Sequence, residues 1–306
     1  MGQHQQMVKA VFTTKLSPGY DDLPELYYHF PRVYLRRVEQ TLGDSIVYYE
    51  PRRGTAELSS RGGRQSYFAI ARPHAIRDDP VRPDHFYCDV RDYLDFDGPV
   101  HFRDGDEYRE SALRRDDGQT NKGAFGHSVR LMPDEEFEAI LAAGLSGPPL
   151  QAPVAAPEGP YMGVEELSVP FERPMVELTT IRPFRDLAFR RSVRAAYDNR
   201  CAVTGLRLIN GGGRPEVQAA HIRPVADHGP DSVRNGLALS GTIHWLFDRG
   251  LLSVADDMTI MKAEGKLPAE MERLINANGR LNLPTDRAYW PHPAFLAHHR
   301  ETYFKG

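Results

Sequence analysis

Four side chains in the second half of the sequence have the types and spacing needed to hydrolyse a phosphodiester. His221 ends a short apolar run, and a neutral imidazole held on a strand is a usable general base near pH 7. Asn235 follows a turn-rich segment, where its amide can hold the loop beside His221. His244 and Asp248 are four residues apart, so on a helix both point the same way and can share one divalent cation. The set predicts cation-assisted attack of water on phosphorus.

The elements that must position these side chains can be read from the same stretch. Residues 217–222 predict a strand, and the residues between Asn235 and His244 are enough to finish a loop and begin a helix. Trp245, Leu246 and Phe247 are expected to anchor that helix in the core. The sequence therefore predicts a strand, a loop and a helix that bring the two histidines together.

This stretch resembles the HNH endonuclease family, whose fold is the ββα-metal unit. The resemblance is carried by an ordered set of residues: Cys201, Val203 to Gly205, Ala219 to Ile222, Gly229, Asp231, Asn235 to Leu237, Leu239, His244, Leu246 to Asp248, Gly250 and Leu251. It implies that His221 is the general base, Asn235 an orienting residue and His244 a metal ligand. Many HNH enzymes place an acid or a second histidine directly before the base, where this chain has Ala220. Asp248 is the candidate replacement ligand, and a helix-structuring role is its alternative.

Oxygen and imidazole ligands predict a divalent cation, Mg²⁺ or Mn²⁺, with Co²⁺ and Ni²⁺ left open. The chain has two cysteines, Cys88 and Cys201, and only Cys201 lies near the site, so a four-cysteine structural zinc is not expected. Distant cysteines and a start without a signal-peptide core favour the reducing cytoplasm. No apolar run approaches the roughly 18 residues of a membrane span.

The charge of the chain is unevenly distributed. The formal net charge is −4, yet residues 182–223 contain nine arginines, three acids and no lysine. This segment predicts a phosphate-binding surface, with Arg190, Arg194 and Arg223 as candidate DNA contacts. The alternative is that arginine simply replaces lysine throughout, since the whole chain has six lysines.

The first part of the chain resembles the PUA superfamily, most nearly its EVE branch, which is related to the SRA readers. The similar segments are Gly43 to Tyr49, Tyr67 to Arg72, Phe86 to Val90, Pro99 to Val100 and Gly126 to Gly144. Such domains are small β-barrels with a pocket for a modified base, which is flipped from the duplex and held by stacking and edge hydrogen bonds. Candidate ring faces are Tyr27, Tyr28, Phe30 and Tyr49, and candidate edge readers are Asp95 and Asp97. The alternative for the aromatic residues is a place in the core.

The expected fold class is α+β, with an N-terminal PUA-like β-barrel and flanking helices, followed by a C-terminal ββα-metal domain with additional helices. Residues 1–145 form the predicted reader, residues 146–160 a proline-rich linker and residues 161–306 the nuclease domain. Together these indicate a modification-dependent DNA endonuclease, similar to type IV restriction enzymes, that acts on double-stranded DNA carrying modified cytosine. A nuclease without modification dependence and a non-catalytic nucleic-acid-binding protein are the alternatives. A homodimer is left open.

Overall fold

The structure is a computed structural model that describes residues 8–14, 22–51, 65–146, 175–180 and 182–306. The N-terminal part alternates strands with short helices: β1 Ala10–Thr13, β2 Tyr27–Pro31, α1 Leu35–Glu39, β3 Ile46–Glu50, β4 Ser66–Asp78, β5 His85–His101, β6 Arg103–Asp104, β7 Glu107–Tyr108, α2 Lys122–Phe125, β8 Val129–Leu131 and α3 Asp134–Gly144. The C-terminal part contains the remaining elements: α4 Met175–Leu178, α5 Arg182–Ala196, β9 Gln218–His221, β10 Gly236–Leu239, α6 Gly241–Asp248, β11 Leu252–Val254, β12 Ile260–Lys262, α7 Ala269–Glu272 and α8 Pro293–Thr302.

Six strands of the N-terminal part form one sheet in the order β2-β5-β4-β3-β1-β8. Strand β1 runs parallel to β3, and the other pairs are antiparallel. The ladder between β4 and β5 shifts register at three places, and such bulges bend and twist a sheet. The sheet therefore curls into a half-barrel. The predicted mixed α+β class is confirmed at this level, while membership of the PUA superfamily stays a prediction.

Strand β3 shows why the centre of this sheet is a run of apolar residues. All five of its residues are buried. Ile46 and Tyr48 belong to the apolar cluster on one face, and Val47 and Tyr49 belong to the cluster on the other. A strand covered on both faces gains nothing from polar alternation, so its first four residues, 46–49, form a continuous run of aliphatic and aromatic side chains before the buried Glu50.

Strand β5 is longer than the sequence indicates. Two strands are expected there, His85–Tyr93 and Gly98–Phe102, but the structure has one strand of 17 residues. Its far end pairs with the start of β4, where Ser66 is opposite His101. The expected break is wrong because the strand passes Gly98 in a bulge, between the Tyr67–Val100 and Ala69–Asp95 pairs, and then resumes pairing with β4.

Helix α5 is shared by the cores of both parts. Ala188 packs in the N-terminal cluster with Phe137 and Ile140 of α3, whereas Phe189 and Val193 pack in the C-terminal cluster. Most of the predicted linker lies outside the described residues, and the predicted domain limits stay a prediction. The packing of α5 nevertheless ties the two parts together on the C-terminal side of that linker.

The C-terminal part is built on a hairpin of β9 and β10 covered by α5 and α6. His221 pairs with Gly236 across this hairpin. A Cβ atom at Gly236 would lie 2.4 Å from Cγ2 of Val193, so glycine is what allows α5 to approach the hairpin this closely. In the described part of the chain, the helices are too short or too polar to cross a bilayer.

We expect the stability of the C-terminal part to depend on pH through His299. This ring is buried on α8, stacks on Phe247 at 3.8 Å between centroids and bonds to the Ser253 hydroxyl. Burial lowers the pKa of His299 to about 4, whereas in the unfolded chain it titrates near its ordinary value of about 6.5. The stabilisation from the neutral ring is therefore complete above about pH 6.5 and is lost as the pH falls towards 4, by an amount on the order of 3 kcal/mol.

Urea unfolding of the wild type and of His299→Leu at pH 7.5 and 4.5 measures this difference. The wild type should lose more unfolding free energy on acidification than the variant, which has no ring to protonate. Equal losses in the two proteins would contradict the assignment.

Candidate active site

His221 is the last residue of β9, and its ring is held by a stacking contact on one face and by a hydrogen bond at one ring nitrogen. The ring stacks on Phe189 with 3.8 Å between centroids and a 13° interplanar angle. Its Nε2 lies 3.0 Å from Oδ1 of Asp231. Because a carboxylate can only accept, Nε2 carries the proton, and Nδ1 keeps the lone pair that a general base requires. Among the described residues Nδ1 has no hydrogen-bond partner, and 18% of the side chain is exposed, so solvent and substrate can reach the ring.

Asp231 holds this histidine and is itself buried among cations. Arg182 donates to both of its oxygens, at 2.9 and 3.1 Å, and Arg185 reaches Oδ2 at 2.7 Å. Burial acts to raise the pKa of Asp231, but the His221 hydrogen bond and the charges of Arg185 and Arg182 outweigh it and hold the pKa below its ordinary value. Asp231 belongs to the family pattern in the sequence, but the pattern alone assigns it no role. The carboxylate keeps its charge and orients the base.

Asn235 closes the loop between Asp231 and the hairpin. Its side-chain oxygen accepts from the backbone N–H of Arg223 at 2.8 Å, and its Nδ2 donates to the carbonyls of Arg223 and Pro230, both at 3.0 Å. Gly229 packs under this loop, where a Cβ atom would lie 1.8 Å from the Arg223 carbonyl oxygen. The asparagine is fully buried, so it acts on the loop and does not contact substrate directly.

His244 and Asp248 lie on one face of α6, as the spacing predicts. Nε2 of His244 is 3.5 Å from Oδ2 of Asp248. Nδ1 of His244 is 2.8 Å from Oε1 of Gln218, an acceptor, so Nδ1 is protonated and Nε2 is left as a ligand atom. In the described residues, no group of three or more histidine, cysteine or acidic side chains could hold a metal ion. The pair fits a hard divalent cation that takes its other ligands from water and phosphate oxygens.

A groove of about 490 Å³ begins beside this pair, lined by Arg194, Leu208, Ile209, Asn210, Arg214, Pro215, Glu216 and Gln218. Partial burial, together with the charges of Arg190 and Arg214, lowers the pKa of Arg194. None of the three forms an ion pair with a residue in the described ranges. Arg223, the third predicted phosphate contact, does not line this groove, and its Nε donates to the Asp227 carbonyl at 2.7 Å.

The structure places most of the predicted base-reading residues inside the protein. Tyr28, Phe30 and Tyr49 are buried in the two N-terminal clusters, so a base could reach their faces only if the core opened. Tyr27 is half-buried and meets Tyr87 edge to face at 5.3 Å between centroids. The cavity beside Asp95 holds about 20 Å³, enough for one water molecule and too little for a base. The base-reading role of these residues stays an untested prediction.

Asp95 and Asp97 lie at the junction between the N-terminal sheet and the C-terminal part. Oδ2 of Asp95 accepts from the Ser232 hydroxyl at 3.0 Å and from the backbone N–H of Val233 at 2.8 Å. Asp97 accepts from Nε of Arg191 at 3.0 Å. Both carboxylates are thus engaged by protein partners, which sequence alone could not indicate because the partners come from the other half of the chain.

One predicted core residue is wrong. Trp245 is 56% exposed, while its neighbours Leu246 and Phe247 are buried as expected. On a helix, adjacent residues point about 100° apart, so a residue next to two core positions can still face solvent. Trp245 follows His244 directly and adds an exposed aromatic surface beside the candidate cation site.

Comparison with known proteins identifies the segment that contains this site. Residues 201–255 match the model of a family described as HNH endonuclease. No curated protein matches the chain. The chain is similar at 15% identity and a TM-score of 0.31 to the modification-dependent TagI restriction endonuclease, over 97% of this chain and 82% of that one. It is similar at 14% identity and a TM-score of 0.21 to the type IV phosphorothioation-dependent restriction endonuclease ScoMcrA, over 98% of this chain and 53% of that one.

Replacing Asp231 by asparagine should destabilise the protein by roughly 3 kcal/mol or more, because it removes the charge that compensates two arginines at a buried site. The matched control is Asp256→Asn, which breaks the exposed pair between Asp256 and Arg300 at 2.7 Å and should cost less than about 1 kcal/mol. Urea unfolding of the three proteins measures both values. Similar small losses in the two variants would show that Asp231 is not the charge on which the site depends.

Proposed function

Residues 201–255 form an HNH endonuclease domain, and we propose that the chain is a DNA endonuclease that uses a divalent cation and acts on double-stranded DNA carrying modified bases. The observation that carries the nuclease proposal is the state of His221. Asp231 fixes its proton on Nε2, Phe189 fixes its plane, and Nδ1 is left as the available base. A histidine that served only packing would have no need of this arrangement.

The proposed reaction begins with a water molecule between His221 and the scissile phosphate. Nδ1 of His221 takes a proton from this water as its oxygen attacks phosphorus, and the imidazolium that forms is stabilised by Asp231. The bond from phosphorus to the 3′ oxygen breaks, and the departing oxygen takes up a proton from solvent. The products are a 5′-phosphate and a 3′-hydroxyl. Asn235 contributes by holding the loop that carries Asp231.

His244, with Asp248 beside it, would hold the cation that acts on the scissile phosphate. Gln218 fixes the His244 ring so that Nε2 is the ligand atom. When bound, a divalent cation supplies positive charge at the phosphate oxygens and the leaving oxygen. Mg²⁺ and Mn²⁺ are the proposed ions, and Co²⁺ and Ni²⁺ also suit this mixed set.

The groove lined by Arg194 and Arg214 is the proposed path for the DNA backbone next to the scissile phosphate. Arg190, Arg194 and Arg214 lie close together without a carboxylate partner in the described residues, an arrangement that an anion stabilises. Gln218 lines the same groove and contacts His244, so a DNA strand lying in the groove would lead directly to the candidate cation site.

We also propose that cleavage depends on a modified base in the DNA. It is supported by the resemblance of residues 8–145 to PUA-superfamily readers, with modified cytosine as the proposed target and base flipping as the proposed mode of recognition. The half-buried rings of Tyr27 and Tyr87 form an aromatic surface that we propose meets a base at its edge, because His29 stacks on the Tyr87 ring at 4.5 Å between centroids and Arg77 lies 4.2 Å from the same centroid. The free, buried thiols of Cys88 and Cys201 suit the proposed location in the cytoplasm.

Plasmid cleavage tests the nuclease and the reader separately. With Mg²⁺ or Mn²⁺, the wild type should cut a plasmid containing 5-methylcytosine or 5-hydroxymethylcytosine and leave the unmodified plasmid intact. His221→Ala should reduce the rate by about 10²- to 10⁴-fold, because the general base is lost. His101→Ala, which removes an exposed histidine at the end of β5, should cut at the wild-type rate.

The outcomes of this assay are distinct. Equal cutting of both plasmids would remove the reader and leave the nuclease. A His221→Ala protein as active as the wild type would contradict the assigned base and favour a binding protein.

The groove can be tested through the salt dependence of DNA binding without divalent cations. Arg194→Ala and Arg214→Ala should each weaken binding of a short duplex and reduce the slope of log K against log salt by about 0.9 per lost phosphate contact. Arg115→Gln, which removes an exposed arginine of the N-terminal part, should leave the slope unchanged. Unchanged slopes in both groove variants would place the DNA elsewhere.

A further inference from the structure

Strand β5 of the N-terminal sheet contacts the segment that carries Asp231. Leu94 forms a parallel β-bridge with Asp231 itself. Asp95 accepts hydrogen bonds from Ser232 and Val233, the two residues that follow Asp231. Asp231, Ser232 and Val233 are all buried. The backbone around the residue that orients His221 is therefore held from the N-terminal sheet.

A second contact reaches the Asp231 carboxylate through a buried guanidinium. Arg185 places Nη2 2.7 Å from Oδ2 of Asp231 and Nη1 2.5 Å from Oδ1 of Asp92, and it also donates to the Tyr93 carbonyl at 3.4 Å. A planar guanidinium with carboxylates on two of its edges has little freedom to rotate. Asp92 thus holds the Arg185 guanidinium in the orientation in which it contacts the Asp231 carboxylate.

The backbone at Asp92 is adapted to this contact. Its φ is +54°, in the left-handed region that a non-glycine residue adopts at a cost on the order of 1 kcal/mol. The position falls where the register of β4 and β5 shifts between the Ile70–Leu94 and Arg72–Arg91 pairs, and a bulge of this kind re-aims a side chain. Here the redirected side chain points towards Arg185.

We propose that Asp92 and Asp95 are positioning residues for the cleavage reaction, so that the N-terminal sheet completes the catalytic site. Asp92 acts on Asp231 and His221 through Arg185, and Asp95 acts on them through the backbone that follows Asp231. The inference rests on the proposed nuclease function. It gives the sheet a role in turnover besides any role in recognition. The same strand β5 pairs with β2 at Tyr27, and its residue Tyr87 belongs to the aromatic surface.

Steady-state cleavage by the full chain tests the proposal on whichever modified plasmid the wild type cuts. Asp92→Asn and Asp95→Asn should each lower kcat about tenfold with KM changed less than about twofold, as expected when a residue that orients a catalytic group is weakened. Asp84→Asn is a matched control, because Asp84 also has a positive φ of +59° and pairs with an arginine, Arg32 at 2.6 Å, away from the junction. Its kcat should equal that of the wild type.

A spectroscopic measurement decides the proposal without cleavage. In ¹⁵N-histidine spectra of the metal-free protein, assigned with His221→Gln, His221 of the wild type and of Asp84→Asn should be in the Nε2–H tautomer. Asp92→Asn and Asp95→Asn should show a share of the Nδ1–H tautomer, because Asp231 is held less firmly. If one variant fails to fold, the other provides the test.

Folded variants with wild-type kcat and a wild-type His221 tautomer would overturn the inference. A wild type that cuts no modified DNA would instead overturn the proposed function, and the tautomer measurement would still decide whether the N-terminal sheet orients His221.

Discussion

The site depends on the compensation of one buried negative charge, the carboxylate of Asp231. An unpaired carboxylate at this depth would cost several kcal/mol, so its oxygens must be occupied by donors. Arg182 and Arg185 from α5 and the imidazole of His221 occupy them. This one requirement fixes three things together: the position of α5 against the hairpin, the tautomer of the histidine and the path of the loop that Asn235 closes.

Helix α5 meets that requirement while it serves two cores. Its arginines face the carboxylate and the junction, and its apolar residues divide between the N-terminal and C-terminal clusters. The density of arginine in this segment therefore has two explanations in the structure. Arg182, Arg185 and Arg191 are structural ion-pair partners. Arg194 lines the groove and Arg190 acts on it through its charge, and neither has a carboxylate partner in the part of the chain that is described.

The sequence predicts the parts of the site that depend on local spacing. His221 at the end of a strand and His244 four residues from Asp248 on a helix follow from periodicities of two and 3.6 residues, and both are placed as those periodicities require. The role of Asp231 and the engagement of Asp95 could not be predicted, because their partners are brought together only by the tertiary fold. The exposure of Trp245 has a similar cause. Helix periodicity predicts which residues share a face of the helix, but it does not predict which of those faces other elements cover.

The junction has a consequence for how the protein is made. Ser232 and Asp95 are 137 positions apart, and Arg234 pairs with Glu25 across 209 positions at 2.9 Å. Contacts of such sequence separation form late, after both partners have become structured, and during synthesis the earlier half of a chain emerges first. A nascent chain that ends before residue 231 has no carboxylate to orient its histidine. Assembly of the candidate site therefore waits until the N-terminal sheet and the later segment have both left the ribosome, so the proposed activity would belong to the finished chain alone.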